Sequence, residues 1–568
     1  MIEEKIERPW LLNYDSSVPP TLNYDRIPLY GFLDRAAEEF PKRTAVVFNN
    51  YKISYAQLKE LSERVAANFQ KAGLRRGDRV AIMLPNLPQT IITYWAVLKA
   101  GGTIVMTNPL YMETELVHHF TDAKAKFLIT LDMLWPKISS LLPRFSLDKV
   151  IVTSIADGLK FPLNFLYRVK SKREGKAVTV PFDETVVPWK TLLQKNSAPL
   201  RIHPPDPERD IALLQYTGGT TGISKGVMLS HTNMTANVFQ ILSILHKIGR
   251  GTETFLGLLP YFHIYGLTVC LNLPTALAAT LAPFPRFVPG DVLKATKKIR
   301  PTVFPGAPAI YISLLQQKNI EQWDLSSIRY CVSGSAPIPV ETIERFKRMT
   351  GAEIIEGYGL TEASPVTHLN PLDGQKIPGS IGMPFPDTDA AIVDMEVGSI
   401  PMPPGKIGEL VIRGPQVMKG YWKRPDETAS VLRNGWLYTG DVAYMDEKGY
   451  FYIVDRKKDM ILSAGYNVYP REIDEVLHEH PKVKEAVAVG IPHPTRGEII
   501  KAYVVPMPGE KLTRSEIIGF CRQKLANYKV PKDVEFRTEL PRTMVGKVLR
   551  RALRKEEEEK GKELKAQS

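Results

Sequence analysis

A chain of 568 residues is too long for one ordinary hydrophobic core, so two or more domains are expected. With 44% hydrophobic and 24% charged residues the composition is globular and excludes wholesale disorder. A net charge of +13 favours anionic partners (nucleotides, coenzyme phosphates, lipid headgroups or nucleic acid), while three widely spaced cysteines, Cys270, Cys331 and Cys521, argue for a reducing compartment and against a disulfide scaffold or zinc site.

The first ten residues, MIEEKIERPW, lack a basic segment followed by an apolar core, so no secretory signal is expected. From Ala56, the residues Leu58, Leu61, Val65 and Phe69 recur at helical spacing and Gly73 supplies a stop. A strand-like VAIML (Val80 to Leu84), a helix from about Gln89 to Ala100 and a second strand, TIVMT, then make a βαβ unit, so a largely parallel sheet is expected. Residues 158–176, GLKFPLNFLYRVKSKREGK, interleave Leu, Phe and Tyr with Lys and Arg. That is the composition of a segment lying on an anionic membrane, or of a surface insertion packing its aromatics on the domain.

The alternation resumes at DIALLQYTGG, SIRYCVSGSAP and AEIIEGYGLTE, each an apolar run ending in a Gly- or Ser-containing loop. Loops at the carboxyl ends of parallel strands bind ligands, and three of them suggest one composite site. Between Thr254 and Pro285 no Asp, Glu, Lys or Arg occurs, yet Pro260, His263, Gly266, Asn272, Pro274 and Pro283 interrupt the run, which reads as a buried core element and not a membrane span. From about Gly398 short strands with turn signals follow, and then a compact α/β pattern from REIDEVLHEHP through EAVAVGI to KAYVVPMP. The final RKEEEEKGKELKAQS reads as a solvated helical tail. The expected fold is α/β: residues 1–457 form a large domain of parallel-rich αβ layers (28–397) with a β-rich subdomain (398–457), followed by a compact α/β domain at 458–568.

The strongest local signal is YTGGTTGISKGVMLSH, Tyr216 to His231. Its glycines let the backbone approach a ligand closely, and consecutive N–H groups can cradle phosphate oxygens. Thr217, Thr220 and Thr221 add hydroxyls and Lys225 a charge. A P-loop requires Gly-Lys-Ser/Thr at its end, whereas here Ser224 precedes the lysine and Gly226 follows it. The bland alternative is a flexible Gly/Thr turn.

This loop, EGYGLTEASP (Glu356 to Pro365), GWLYTGD (Gly435 to Asp441), DRKKD (Asp455 to Asp459) and PRTMVGK (Pro541 to Lys547) occur in that order. Together they resemble the signature series of the acyl-adenylate-forming (AMP-binding) superfamily, which includes acyl-CoA synthetases, peptide-synthetase adenylation domains and luciferases. The resemblance spans roughly Leu29 to Arg554, with Gly218 standing where Ser or Thr is common and Ser224 where Pro is common. It implies ATP and coenzyme A as co-substrates and Mg²⁺ as cofactor. The phosphate loop would be Thr217, Gly218, Gly219, Thr220, Thr221, Gly222 and Lys225, with Glu362 as the Mg²⁺ ligand assisted by Thr217. Tyr358, between Gly357 and Gly359 and followed by Thr361, would stack on adenine against Gly334, Ser335 and Ala336, while Asp441 takes the ribose hydroxyls beside Arg456. Lys547 matches the catalytic lysine that bridges the attacking carboxylate and the α-phosphate, Lys458 the hinge of the mobile domain, and Gly465 with Tyr466 the approach to the pantetheine channel.

The stretch NGWLYTGDVAYMDEKGYFYIVDRKKDMIL resembles bacterial-type long-chain fatty acyl-CoA synthetases in particular. Phe262 and His263 would then line the acyl site, with the uncharged 254–285 segment in the wall of an apolar tunnel; a buried structural histidine is the alternative for His263. The expected protein is cytoplasmic, peripheral on the inner membrane face, with a homodimer as an allowed assembly. A medium-chain, aryl-acid or luciferase-like ligase would need a shorter or differently polar pocket, and a fatty acyl-AMP ligase loading a carrier protein would share every ATP motif. A non-catalytic nucleotide-binding scaffold would be expected to have lost Lys547, Glu362 or Asp441, and all three are present. No nucleic-acid recognition motif appears, so nucleic acid is not an expected partner.

Overall fold

The computed structural model describes residues 7–195, 199–217, 224–463, 466–493, 497–543 and 548–566, the side chains of the last helix as far as residue 560. Backbone contacts divide the chain into two compact units, one of 14–389 and 413–437 and one of 1–13, 390–412 and 438–568.

The larger unit is built on two wide sheets. In one, Thr103–Met106, Arg79–Met83, Ala125–Leu131, Lys149–Thr153 and Val186–Pro188 continue in parallel from Ile211–Thr217, beyond which Lys225–Ser230 and Gly420–Tyr421 add antiparallel strands. In the other, Thr44–Phe48, Thr280–Pro283, Thr254–Gly257, Val303–Gly306, Tyr330–Ser333 and Ile354–Gly359 run parallel, with antiparallel Tyr51–Ser54 and Val366–Leu369 beside the first and last. The parallel α/β architecture expected from the alternating pattern is therefore present.

Local sequence accounts for the elements. The helix Tyr55–Lys71 starts at a Ser54–Gln57 capping box, buries Leu58, Val65 and Phe69, and stops before Gly73, whose φ of +97° suits glycine. Every residue of the crossover helix Pro88–Lys99 is buried, and Lys99 at its end is charge-matched by Asp34 and Glu63. The uncharged 254–285 segment folds as a strand, a wholly buried helical run over 264–276 with a π-helical stretch at Thr268–Asn272, and a second strand. Among the described residues no helix is long and apolar enough to cross a membrane.

In the smaller unit, Asp389–Val393, Gly408–Arg413, Trp436–Met445 and Phe451–Arg456 join in one sheet. A second sheet pairs Val483–His493, Gly497–Pro506 and Asp533–Phe536, with Ile473, Leu477, Ile517 and Cys521 of the helices Pro470–His478 and Arg514–Lys524 packed into its core.

The charged tail departs from the solvated helix expected of it. The helix Arg550–Ala566 buries Leu553 completely among Val487, Val489, Tyr503 and Leu540. Its acidic run meets cations from other elements: Glu557 lies 3.0 Å from the buried Lys501 and Glu556 2.6 Å from Arg537. Periodicity within the tail carries no sign of these partners, because they sit on distant strands. Leu553→Ala is expected to destabilise this unit by about 2–4 kcal/mol through the cavity it leaves, read from denaturant unfolding; a change within experimental error would mean that the helix does not seal this core.

Candidate active site

The glycine- and threonine-rich loop leaves the end of Ile211–Thr217 and returns as Lys225–Ser230, with Thr217 directly opposite Lys225 in the antiparallel register. Gly218, Gly219, Thr220, Thr221 and Gly222 lie outside the described residues, so the stem of the loop is what the structure describes. Two residues before its end, Gln215 donates from Nε2 to the carbonyl of Phe262 at 2.8 Å, which ties the strand leading into the loop to the segment carrying His263.

Lys225 is mostly shielded and ion-paired with Glu427 of the helix Pro425–Val431, and its ammonium stands 5.1 Å from the centre of the Tyr421 ring. Tyr421 is brought there because Gly420–Tyr421 pairs antiparallel with Val227 and Met228 of the returning strand. Its hydroxyl donates to Glu362 Oε1 at 2.8 Å, and the Glu362 carbonyl accepts from Met418 N–H at 2.8 Å. Burial and the adjacent Glu362 carboxylate both raise the Tyr421 pKa, so the phenol stays protonated and remains a donor. One side chain thus spans the loop-stem cation and the acidic residue of the EGYGLTEASP motif. Glu362 and Thr217 offer carboxylate and hydroxyl oxygens, hard donors of the kind Mg²⁺ takes.

The strand Ile354–Gly359 and the short turn Thr361–Ala363 carry that motif. Tyr358 lies opposite His368 in the neighbouring strand, the rings edge to face with centroids 5.9 Å apart, and burial lowers the His368 pKa to about 3. A Cβ at Gly359 would meet the Pro365 carbonyl at 2.2 Å, so only glycine fits that crossing. Gly334 is buried against the Tyr265 ring, and Ser335 follows it with a φ of +76°, exposed at the carboxyl end of Tyr330–Ser333 next to Ala336. His263 caps the helix Ile264–Leu267, accepting from Tyr265 N–H at Nδ1, and burial brings its pKa down to about 4. The ring is neutral near pH 7, as suits the edge of an apolar segment.

In the smaller unit, Asp441 and Arg456 are register partners on adjacent strands, Arg456 Nε lying 3.2 Å from the buried Asp441 carboxylate. Glu409 accepts from Gly440 N–H at 3.1 Å and pairs with Lys457 at 2.8 Å, fixing the turn before Asp441. Burial, then Arg456, lowers the Lys458 pKa, and Arg554 donates to the carbonyls of Lys458 and Asp459 at 3.1 Å each. Tyr466 is exposed and stacks on Tyr528 with centroids 4.5 Å apart. Gly465 and Lys547 lie outside the described residues.

Tyr421, Glu427, Gln215, Glu409 and Arg554 were not legible as site residues. Tyr421 is 59 positions from Glu362, and nothing in a lone Gly-Tyr-Trp announces that the pair will meet. Tyr421→Phe removes only the hydroxyl. If Glu362 holds Mg²⁺, as the motif resemblance implies, the change is expected to raise the Mg²⁺ concentration for half-maximal turnover about tenfold, the size of one lost charge-assisted hydrogen bond, with melting nearly unchanged. An unaltered Mg²⁺ dependence would refute a positioning role for this residue.

A glycine-rich loop at the carboxyl end of a parallel sheet, a lysine at its stem and a carboxylate held beside it suit a protein that binds a phosphate-bearing ligand with a metal ion. Comparison with known proteins agrees. The family model for the AMP-binding enzyme matches residues 33–422 and that for the AMP-binding enzyme C-terminal domain matches 472–547. The chain is 48% identical to a long-chain-fatty-acid–CoA ligase of Bacillus subtilis (strain 168), over 97% of this chain and 99% of that one. It is 38% identical to a protein of the same name from Escherichia coli O6:H1, over 97% and 98% respectively. The crystal structure of ATP-bound MatB from Rhodopseudomonas palustris superposes with a TM-score of 0.79 at 30% identity, covering 93% of this chain and 98% of that one. The chain belongs to the AMP-binding enzyme family, the acyl-adenylate-forming superfamily its motifs resemble.

Proposed function

We propose that this protein is an ATP- and Mg²⁺-dependent ligase that converts a long-chain fatty acid to its acyl-adenylate, releasing pyrophosphate, and then to acyl-CoA, releasing AMP. The observation that carries the reading is the meeting of Lys225 and Glu362 at Tyr421 beside the loop stem. The near full-length likeness to two long-chain-fatty-acid–CoA ligases supports the choice of acid and acceptor.

In the first step a fatty-acid carboxylate oxygen attacks the α-phosphorus of ATP in line, and the bond to pyrophosphate breaks. This chemistry needs positioning and charge neutralisation more than covalent help. The loop from Thr217 through Gly218, Gly219, Thr220, Thr221 and Gly222 to Lys225 holds the β- and γ-phosphates, with Lys225 exchanging Glu427 for phosphate when the nucleotide arrives. Glu362 with Thr217 would hold Mg²⁺, which would supply charge neutralisation on the phosphates. Tyr358 stacks on adenine, Gly334, Ser335 and Ala336 form the opposing wall, and Asp441 accepts from the ribose hydroxyls with Arg456 beside it. Lys547 bridges the carboxylate and the α-phosphate.

In the second step the coenzyme A thiol, losing its proton, attacks the acyl carbonyl, and AMP leaves. The domain from Lys458 onward turns about that hinge between the steps, bringing Gly465 and Tyr466 to the pantetheine and removing Lys547. Phe262 and the neutral His263 border the acyl chain. The same reading puts the protein in the cytoplasm, in peripheral contact with an anionic membrane through residues 158–176.

Exchange of labelled pyrophosphate into ATP tests the first step. Exchange should require both Mg²⁺ and palmitate, and its absence with every carboxylic acid tried would overturn the reading.

A further inference from the structure

The helix Leu163–Arg173 is unusual in that none of its residues is buried. Eleven residues make a marginal helix in water, so one without a packed face calls for a partner. Its contact-side positions, Leu163, Asn164, Tyr167 and Ser171, are only half-covered, and Arg168 tethers it through Asp157 at 3.3 Å. The opposite arc holds the exposed Phe165, Leu166, Arg168, Lys172 and Arg173, with Val169 half-covered among them. Phe165 and Leu166 are 59% and 53% exposed, and Phe161, in the turn leading into the helix, is 78% exposed. A helix resting on a protein core points its apolar side inward; this one directs large apolar side chains at solvent.

The charge around these residues selects the partner. Residues 158–176 carry six Lys and Arg against a single Glu. Glu174 takes up Lys170 and Lys176, whereas among the described residues Lys172 and Arg173 carry no ion pair. A wholly polar acidic surface or a nucleic-acid duplex would satisfy the cations but leave Leu166 and the phenylalanines wet. An uncharged apolar groove would do the reverse. Only an anionic lipid interface offers phosphates at one depth and hydrocarbon a few ångströms below it.

We propose that Phe161 and the helix Leu163–Arg173 dock this protein on an anionic bilayer, Phe161, Phe165 and Leu166 entering the headgroup–acyl boundary while Lys172 and Arg173 pair with lipid phosphates. This deepens the membrane contact of the reading above, yet its test needs neither ATP nor acid and so stands or falls apart from the ligase activity.

The test is co-sedimentation of the full chain with vesicles of phosphatidylcholine, with or without phosphatidylglycerol. The chain should sediment with the anionic vesicles and stay in solution with the neutral ones. The double variant F165S/L166S should lower the partition coefficient about tenfold at unchanged charge, and K172Q/R173Q about fivefold for each charge removed. All four positions are on the solvent side, so both variants should melt like the parent. Failure of the parent chain to sediment with anionic vesicles would overturn the proposal. So would sedimentation of F165S/L166S equal to the parent's, which would mark a generic polyanion surface.

Discussion

Lys547→Ala is expected to slow acyl-adenylate formation by a factor on the order of 10²–10³ while leaving most of the rate at which supplied acyl-adenylate and coenzyme A become thioester. The asymmetry follows from the charges. In the first step an anionic carboxylate approaches an anionic phosphate, and a cation bridging the two offsets their repulsion in a water-poor site. In the second a thiolate attacks an acyl carbonyl and no second anion has to be brought up to phosphorus. Separate assays of the two half-reactions read the difference. Equal loss in both would mean that Lys547 acts on folding or on some feature common to the two steps.

Glu362→Gln should have an effect of similar size, a fall on the order of 10²–10³ in adenylate formation, but with a different signature. The amide oxygen still accepts the Tyr421 hydroxyl that reaches Glu362 Oε1 at 2.8 Å, so the local packing stays and only the charge is lost. Half-saturation for Mg²⁺ should therefore rise steeply while the melting temperature holds, and direct titration with Mn²⁺ in the presence of a non-hydrolysable ATP analogue should show the weakened metal site without any turnover. A normal Mn²⁺ affinity in that titration would remove Glu362 from the metal-binding role.

Much of the fold was legible because it is local. The spacing of Leu58, Val65 and Phe69 marks one buried helix face, and the apolar runs ending at Thr217, Ser333 and Gly359 mark parallel strands whose loops gather on the same side of their sheets. The uncharged 254–285 run was rightly read as core, because prolines and a glycine cut it below membrane length. What stayed hidden depends on partners far apart in the chain. The ion pair of Lys225 with Glu427 and the seat of Tyr421 between Lys225 and Glu362 need two strands to align before they exist. The acidic tail misled for the same reason: four consecutive glutamates read as solvent-facing until Lys501 and Arg537 are seen beneath two of them.

The most direct test of the ligase reading is coenzyme A-dependent AMP release with ATP and Mg²⁺ across saturated acids from acetate to stearate, with benzoate and coumarate alongside. A maximum at about twelve carbons or more is expected, since each buried methylene adds about 0.8 kcal/mol to binding. Turnover confined to short or aromatic acids, or adenylate formation that coenzyme A does not carry forward, would contradict it.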